Sequence, residues 1–187
     1  MVAASLGAST PAAQETQTTN YTGLAVGLAV GVAIPVGTLR DTQGTGFRVD
    51  GHVGIAPALI PLGLRFDVGY DRLSGKHIGG ESYGNASVWS GTLNGLLRLP
   101  IDANVYPYAL LGLGLYSTKS YGGDQLQRRT KLGLDFGGGA VIPIGGVNTF
   151  LEAKFVNVFS GTVNASNGGV AARYLPITVG INFPIGS

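Results

Sequence analysis

One feature constrains the fold of this chain more than any other: from residue 23 onward, apolar residues alternate with small or polar ones at a period of two. Successive side chains of a β-strand point to opposite faces, so this period predicts strands that each have one apolar face. Eight segments show the alternation: 23–35, 46–56, 62–72, 87–99, 105–117, 130–142, 149–159 and 173–183.

The chain is poor in charge for a protein that folds in water. Charged residues make up 12% of its 187 residues, against roughly 25% in an average globular domain. Its apolar content of 44% argues against intrinsic disorder. No stretch approaches the roughly 18 uninterrupted apolar residues of a membrane helix. Two classes of protein remain: a glycine-rich soluble β protein and a membrane β-barrel.

The charged residues of the predicted strands share one face, opposite the apolar one. Five are basic and five are acidic: Arg48, Arg65, Arg98, Lys131, Lys154, Asp50, Asp67, Asp71, Asp135 and Glu152. A balanced set of this kind suits a closed interior, so we predict that these ten residues form an ion network in a lumen. Only Arg72 and Arg173 break the rule, and both lie at predicted strand tips.

The links between the predicted strands alternate in length. Four are long and three are short: 36–45, 73–86, 118–129 and 160–172, against 57–61, 100–104 and 143–148. Long loops at one end and tight turns at the other are typical of outer-membrane barrels. An even number of strands then places both ends of the barrel on the short-turn side, which is the periplasmic side.

A soluble barrel would also alternate, but with its apolar face inside. Small residues on the charged face favour the membrane arrangement, because an eight-stranded interior is just wide enough to be filled by side chains. Aromatic residues near the strand ends resemble interfacial girdles: Phe47, Tyr70, Trp89 and Phe183. The sequence therefore predicts an all-β fold, an eight-stranded antiparallel up-and-down transmembrane β-barrel over residues 20–187.

Two local features stand apart from this pattern. Pro107 and Pro176 lie inside predicted strands, where each removes a hydrogen-bond donor, and we expect local bulges there.

Residues 1–19 are rich in Ala, Ser and Thr, and they are interpreted as the remnant of a secretory signal peptide or, alternatively, as a disordered tail.

Four stretches of the chain carry a resemblance to a known family: GLAVGVAIPVGTL at 27–39, LIPLGLRFDVGYDRL at 59–73, YPYALLGLGLY at 106–116 and YLPITVGINF at 174–183. They are similar to the small outer-membrane β-barrel family that includes the OmpX, OmpW and opacity-type proteins. The resemblance covers about residues 22–183 and implies a place in the bacterial outer membrane, but it specifies no activity. Phe183 resembles the final aromatic residue read by the barrel-assembly machinery, although four further residues follow it.

Catalytic chemistry has one weak candidate. Some small barrels modify lipid A, which requires a His beside a Ser or a carboxylate. His77 lies near Ser74, Glu81 and Ser82, but this glycine-rich segment has little to fix a geometry. We interpret His52, on the charged face, as a member of the polar network.

Composition narrows the classes of partner. The chain has no Cys, so it has no thiolate metal site. No His and carboxylate cluster has metal-ligand spacing, and we expect neither cofactor nor metal. A net charge of +2 is too small to indicate a nucleic-acid partner. We expect a monomer whose partners are outer-membrane lipid and lipopolysaccharide, with the barrel-assembly machinery during biogenesis.

Three functions remain open. The first is a non-enzymatic barrel whose four extracellular loops serve envelope integrity or surface binding; the others are a narrow pore for small solutes and a lipid A-modifying enzyme. Basic residues are concentrated at the long-loop end of the predicted barrel. We therefore expect the rim there to bind lipopolysaccharide phosphates through Arg72, Arg173, Arg128 and Arg129.

Overall fold

The strands of the chain follow the alternating segments closely. The computed structural model describes residues 23–57, 60–99, 101, 104–122, 125–145, 147–159 and 172–185. These residues contain the helix α1 (Leu39–Thr42) and the following strands: β1 (Gly23–Val36), β2 (Gln43–Ala56), β3 (Leu62–Gly75), β4 (His77–Ile78), β5 (Glu81–Ser82), β6 (Ala86–Arg98), β7 (Tyr106–Gly122), β8 (Gln125–Ile144), β9 (Val147–Val158) and β10 (Ala172–Ile185). The first 19 residues, interpreted above as a signal remnant or a tail, lie outside the described residues.

Eight long strands close into one antiparallel barrel, and the predicted fold is confirmed. Their order around the ring is β1-β10-β9-β8-β7-β6-β3-β2, with β1 and β10 closing it, while β4 and β5 form a separate small hairpin. Following directly paired residues once around the ring leads from Ala25 on β1 to Pro35 on the same strand, an advance of 10 residues. For eight strands, this stagger corresponds to a strand tilt of about 40° from the barrel axis.

The apolar faces point outward, as the membrane arrangement requires. Leu28, Leu111 and Leu113 are 60–63% exposed, although they lie in mid-strand. A belt of exposed Leu, Val, Ile and Phe around the whole molecule would be an aggregation hazard in water, whereas hydrocarbon solvates it. The charged faces point into the lumen, so the arrangement is the reverse of a soluble barrel.

The strands extend further at the long-loop end than the sequence predicts. β7 and β8 stay paired out to Gly122 and Gln125, so the predicted loop 118–129 is wrong for most of its length. The period-two signal fades there because a hairpin beyond the hydrocarbon needs no apolar face, while its backbone hydrogen bonds continue. The first long link contains α1 and the second contains the β4–β5 hairpin. Among the described residues, no helix is long and apolar enough to cross a membrane.

The expected proline bulges are absent. Pro107 pairs with Ala140, and Pro176 pairs with Ala33, without any shift in register. Each strand residue directs its N–H to one neighbouring strand only, so a proline removes a bond on one side and leaves the other side intact. The register shift described in the barrel lies instead on β2, between Gly44 and Phe47.

Glycines on β8 make room for tyrosines from β7. A methyl group added at Gly133 would lie 2.7 Å from the ring of Tyr116, and one added at Gly139 would lie 2.7 Å from Cζ of Tyr108. Both distances are far below van der Waals contact. The small residues of one strand therefore allow large inward side chains from its neighbour to fill the lumen.

Candidate functional site

Ion pairs cross the centre of the lumen. Arg65 donates hydrogen bonds to both carboxylate oxygens of Asp67, at 2.7 and 2.9 Å, and its guanidinium lies 2.8 Å from Oε2 of Glu152. Lys154 Nζ lies 2.9 Å from Asp67 Oδ2, and the Tyr108 hydroxyl donates to Glu152 at 2.6 Å. β3 and β9 are four strands apart in either direction around the ring. The contacts of Arg65 with Glu152 and of Lys154 with Asp67 therefore span the barrel diameter.

A second buried group lies on the same face, nearer the long loops. Arg48 Nε donates to Asp50 at 2.8 Å, and its Nη1 donates to Asp71 at 2.7 Å. The hydroxyl of Tyr174 donates to the same oxygen of Asp71 at 3.0 Å. This group joins β2, β3 and β10, and all four side chains are buried.

The other three residues of the predicted network, Asp135, Lys131 and Arg98, lie outside these two groups. Asp135 is buried, with Oδ2 3.8 Å from Lys154 Nζ. Lys131 is half-buried on the lumen side of β8, opposite Tyr116 of β7. Arg98 is at the short-turn end, where its Nη2 donates to the backbone carbonyls of Pro57 and Ile60, each at 2.8 Å. Arg98 thus holds the first short turn against the end of β6.

An apolar cluster lies at the long-loop end of the lumen, and the sequence analysis did not predict it. We call it the plug, and it consists of Ala33, Leu73, Ala86, Val88, Tyr116, Val156, Val158 and Tyr174. Leu39 of α1 packs against it from the loop side. The signal was available, because Leu73 is two residues from Asp71 and therefore on the same inward face. Leu73 and Ala86 fall within the predicted link 73–86, so the predicted alternation did not extend to them.

A small cavity of about 110 Å³ lies at the opposite, short-turn end. His52, Arg98, Tyr108 and Asn182 are among its lining residues. His52 Nε2 lies 2.7 Å from Asn182 Oδ1, and its ring meets the edge of Phe150. Across the described part of the chain, no group of three His, Cys, Asp or Glu residues is arranged to hold a metal.

The second histidine, His77, is exposed to solvent. His77 begins β4, its side chain is exposed, and the backbone register places it opposite Ser82 of β5. The side chains of Glu81 and Ser82 lie outside the described part of the structure.

Three of the basic residues predicted for the rim, Arg72, Arg173 and Arg128, lie on the outer face at the long-loop end, whereas Arg129 shares the inward face of β8 with Lys131. Arg72 on β3 and Arg173 on β10 are exposed, and they are three strands apart around the ring. Arg173 Nε donates to Asn157 Oδ1 at 3.1 Å, and Arg128 Nε donates to Ser117 Oγ at 3.2 Å. Arg129 is also exposed.

The register groups these cations in a way that the sequence did not indicate. Arg72 pairs with Ser87, Ser87 pairs with Lys119, and Lys119 pairs with Arg128, so the three cations form one row across four strands. We call Arg72, Lys119 and Arg128 the basic row. Next to it is an aromatic patch on the lipid-facing surface, in which the Tyr70 ring lies 4.9 Å from Trp89 and 6.0 Å from Phe47.

A closed barrel with an apolar exterior and a charged interior defines an integral outer-membrane protein. The family described as "Outer membrane protein beta-barrel domain" matches residues 1–183, so the chain belongs to this family and lies in the bacterial outer membrane. A comparison with curated proteins gave no match.

Solved structures show the same fold at low sequence identity. Neisserial surface protein A is 17% identical with a TM-score of 0.64, and the match covers 88% of this chain and 98% of that one. OprG of Pseudomonas aeruginosa is 11% identical with a TM-score of 0.54, covering 89% and 99%. Ail, the attachment invasion locus protein of Yersinia pestis, is 18% identical with a TM-score of 0.50, covering 87% and 100%.

Proposed function

We propose that this barrel is a non-enzymatic anchor that presents its extracellular loops at the cell surface, and that its lumen does not conduct solutes. One observation carries the proposal: the contacts of Arg65 with Glu152 and of Lys154 with Asp67 join strands on opposite sides of the barrel. An eight-stranded interior is just wide enough for side chains to fill it. Side chains that meet across the full diameter therefore argue against a narrow pore.

The extracellular end supports the same function. The plug lies between the ion network and the loops, so a solute would have to pass two filled layers. The first two loops are joined, because Lys76 donates from Nζ to the carbonyl of Arg40 at 2.6 Å and from its backbone N–H to that of Thr42 at 3.0 Å. Loops that are held together close to the barrel suit either surface binding or a contribution to envelope integrity.

Current measurements in planar lipid bilayers test the closed lumen. The parent protein is expected to show no steady conductance, because both filled layers block the axis. A double variant, Arg65→Ala with Tyr174→Ala, removes one large side chain from each layer and is expected to conduct, which verifies that the assay senses the lumen. Stable open-channel currents from the parent protein would contradict the proposal and favour a narrow pore.

We also propose that the outer rim binds the anionic headgroups of lipopolysaccharide. Its support is the outward position of Arg72 and Arg173 at strand ends. An outward Arg at mid-membrane costs roughly 2–4 kcal/mol, and this cost falls toward zero at the interface. There the guanidinium can meet a phosphate through two parallel hydrogen bonds. The basic row contains no acidic residue, and Phe47 and Tyr70 lie beside it.

Lipopolysaccharide binding in neutral detergent tests the rim. The double variant Arg72→Gln and Arg173→Gln is expected to bind lipopolysaccharide more weakly, because two phosphate-binding cations are lost. Its folding should be unchanged, since both side chains are exposed. Arg40→Gln, an exposed substitution on α1, is the control for a simple loss of charge. Equal affinities for the double variant and the parent would show that the rim is ordinary surface.

A further inference from the structure

Two buried oxygen atoms in the lumen lie close to the same glycine, and neither has a hydrogen-bond partner. Asn94 and Asp135 are 0% and 1% exposed, and neither Asn94 Oδ1 nor Asp135 Oδ1 has a hydrogen-bond partner. Both residues pair with Gly112, which lies between them on β7. A methyl group added at Gly112 would overlap Asn94 Oδ1 and lie 2.7 Å from Asp135 Oδ1. The two oxygens therefore share the space above this glycine.

The orientation of the Asn94 amide is fixed by its other contacts. Its Nδ2 donates to Asp67 Oδ2 at 3.1 Å and to Thr92 Oγ1 at 3.0 Å. Rotating the amide by half a turn would place its oxygen against the Asp67 carboxylate, which cannot donate. Asn94 must therefore present an acceptor to Asp135, and an ionised Asp135 would present a second acceptor in return. Two buried acceptors without a donor are costly.

The surroundings of Asp135 leave its charge weakly balanced. Lys154 on β9 is 3.8 Å from its Oδ2, whereas the same ammonium is 2.9 Å from Asp67. The other charged groups that act on Asp135 are Arg48 on β2 and Arg65 and Asp67 on β3. Tyr116 on β7 also interacts electrostatically with Asp135, but its hydroxyl makes no hydrogen bond to the carboxylate. Asp67 repels a negative charge at this position, and the two arginines make their close contacts with other carboxylates.

We propose that one proton is bound between these residues: Asp135 is a neutral carboxylic acid at neutral pH, and its hydroxyl donates a hydrogen bond to Asn94 Oδ1. A single proton then satisfies both orphaned acceptors and removes one negative charge from the buried network. Gly112 is required at this position because any larger residue would occupy the space of the hydrogen bond. When the pH rises far enough to remove the proton, the two acceptors are opposed again, and the packing of this layer should loosen.

Infrared spectroscopy of the full chain in detergent tests the proposal directly, because a carboxylic acid C=O stretch is separate from the carboxylate bands. At neutral pH the parent is expected to show a carboxylic acid band that is lost in Asp135→Asn. The band should persist in Asp41→Asn, an exposed control on α1. Asp135→Asn should retain the parent's unfolding midpoint, since its amide can donate to Asn94 Oδ1 without a change in shape.

Two outcomes would overturn the assignment. The first is the absence of a carboxylic acid band from the parent at neutral pH. The second is a change in unfolding midpoint when sodium is exchanged for a bulky organic cation at equal ionic strength, which would identify a bound metal ion. If Asp135→Asn does not fold, raising the pH of the parent decides the question, because the band must then disappear reversibly.

Discussion

At the scale of single residues, the lumen is organised around acidic side chains that each serve several partners. Asp67 accepts hydrogen bonds from Arg65, Lys154 and Asn94, and it is 1% exposed. A buried ion pair is not in itself strong stabilisation, because both ions lose their hydration. Removal of one partner is another matter, since it leaves the other charges buried and uncompensated.

Asp67→Ala is therefore expected to lower the free energy of unfolding by about 3–5 kcal/mol, because Arg65 and Lys154 would lose one of the two carboxylates that they share in a dry site and keep only Glu152. Urea unfolding in detergent, followed by the fluorescence of the single tryptophan, Trp89, measures the change. Asp41→Ala, an exposed acidic residue on α1, is the control, and its effect should stay within about 0.5 kcal/mol. A loss below 1 kcal/mol for Asp67→Ala would mean that water replaces the carboxylate.

Residue periodicity explains which parts of this lumen could be predicted. Alternation alone places Arg65 and Asp67 inside, because a strand has only two faces. It does not indicate that Arg65 meets Glu152, which is 87 positions away. That contact depends on the stagger of the closed ring, a property of all eight strands together. The basic row was likewise hidden, because it exists only through the pairing of Lys119 with Arg128.

At the scale of elements, neighbouring strands have complementary inner faces. Glycines of β8 lie beside the tyrosines of β7: Gly139 is directly opposite Tyr108, and Gly133 meets the ring of Tyr116 diagonally. The sequence predicted the centres of these strands well and their extracellular ends poorly. The alternation that marks a strand is imposed by the hydrocarbon, and it ends where the hydrocarbon ends, although the β7–β8 ladder continues to Gly122.

Gly133→Ala tests this complementarity. We expect a loss of about 1–3 kcal/mol in stability, because the new methyl group is forced against the ring of Tyr116. The loss should shrink when the same substitution is made in a Tyr116→Ala background, and urea unfolding of the four proteins gives this coupling. Gly95→Ala on the outer surface, where a methyl group meets little, is the matched control. Equal losses in both backgrounds would refute a contact with Tyr116.

At the scale of the whole molecule, the barrel can form only where its apolar outer surface is solvated by hydrocarbon and not by water. The outer surface is apolar on all eight strands, so plain buffer offers no favourable environment for the closed barrel. The chain is expected to fold only in detergent or lipid, and to migrate differently in gel electrophoresis with and without boiling. Circular dichroism and light scattering provide the measurement. A monodisperse, folded protein in plain buffer would contradict the membrane assignment.

The side-chain contacts that join β3 to β9 across the barrel diameter have a consequence for biogenesis. Arg65, Asp67 and Asp71 belong to the first half of the chain, and they obtain Glu152, Lys154 and Tyr174 only from the second half. A partial sheet that ends at β6 would keep the local contacts of Arg65 with Asp67 and of Arg48 with Asp71 but would lack those that cross the barrel, and such non-local contacts form late and slowly. A half-built barrel in the bilayer would thus be less stable than the closed ring. Insertion and closure should accordingly occur as one cooperative event, with no long-lived intermediate between them.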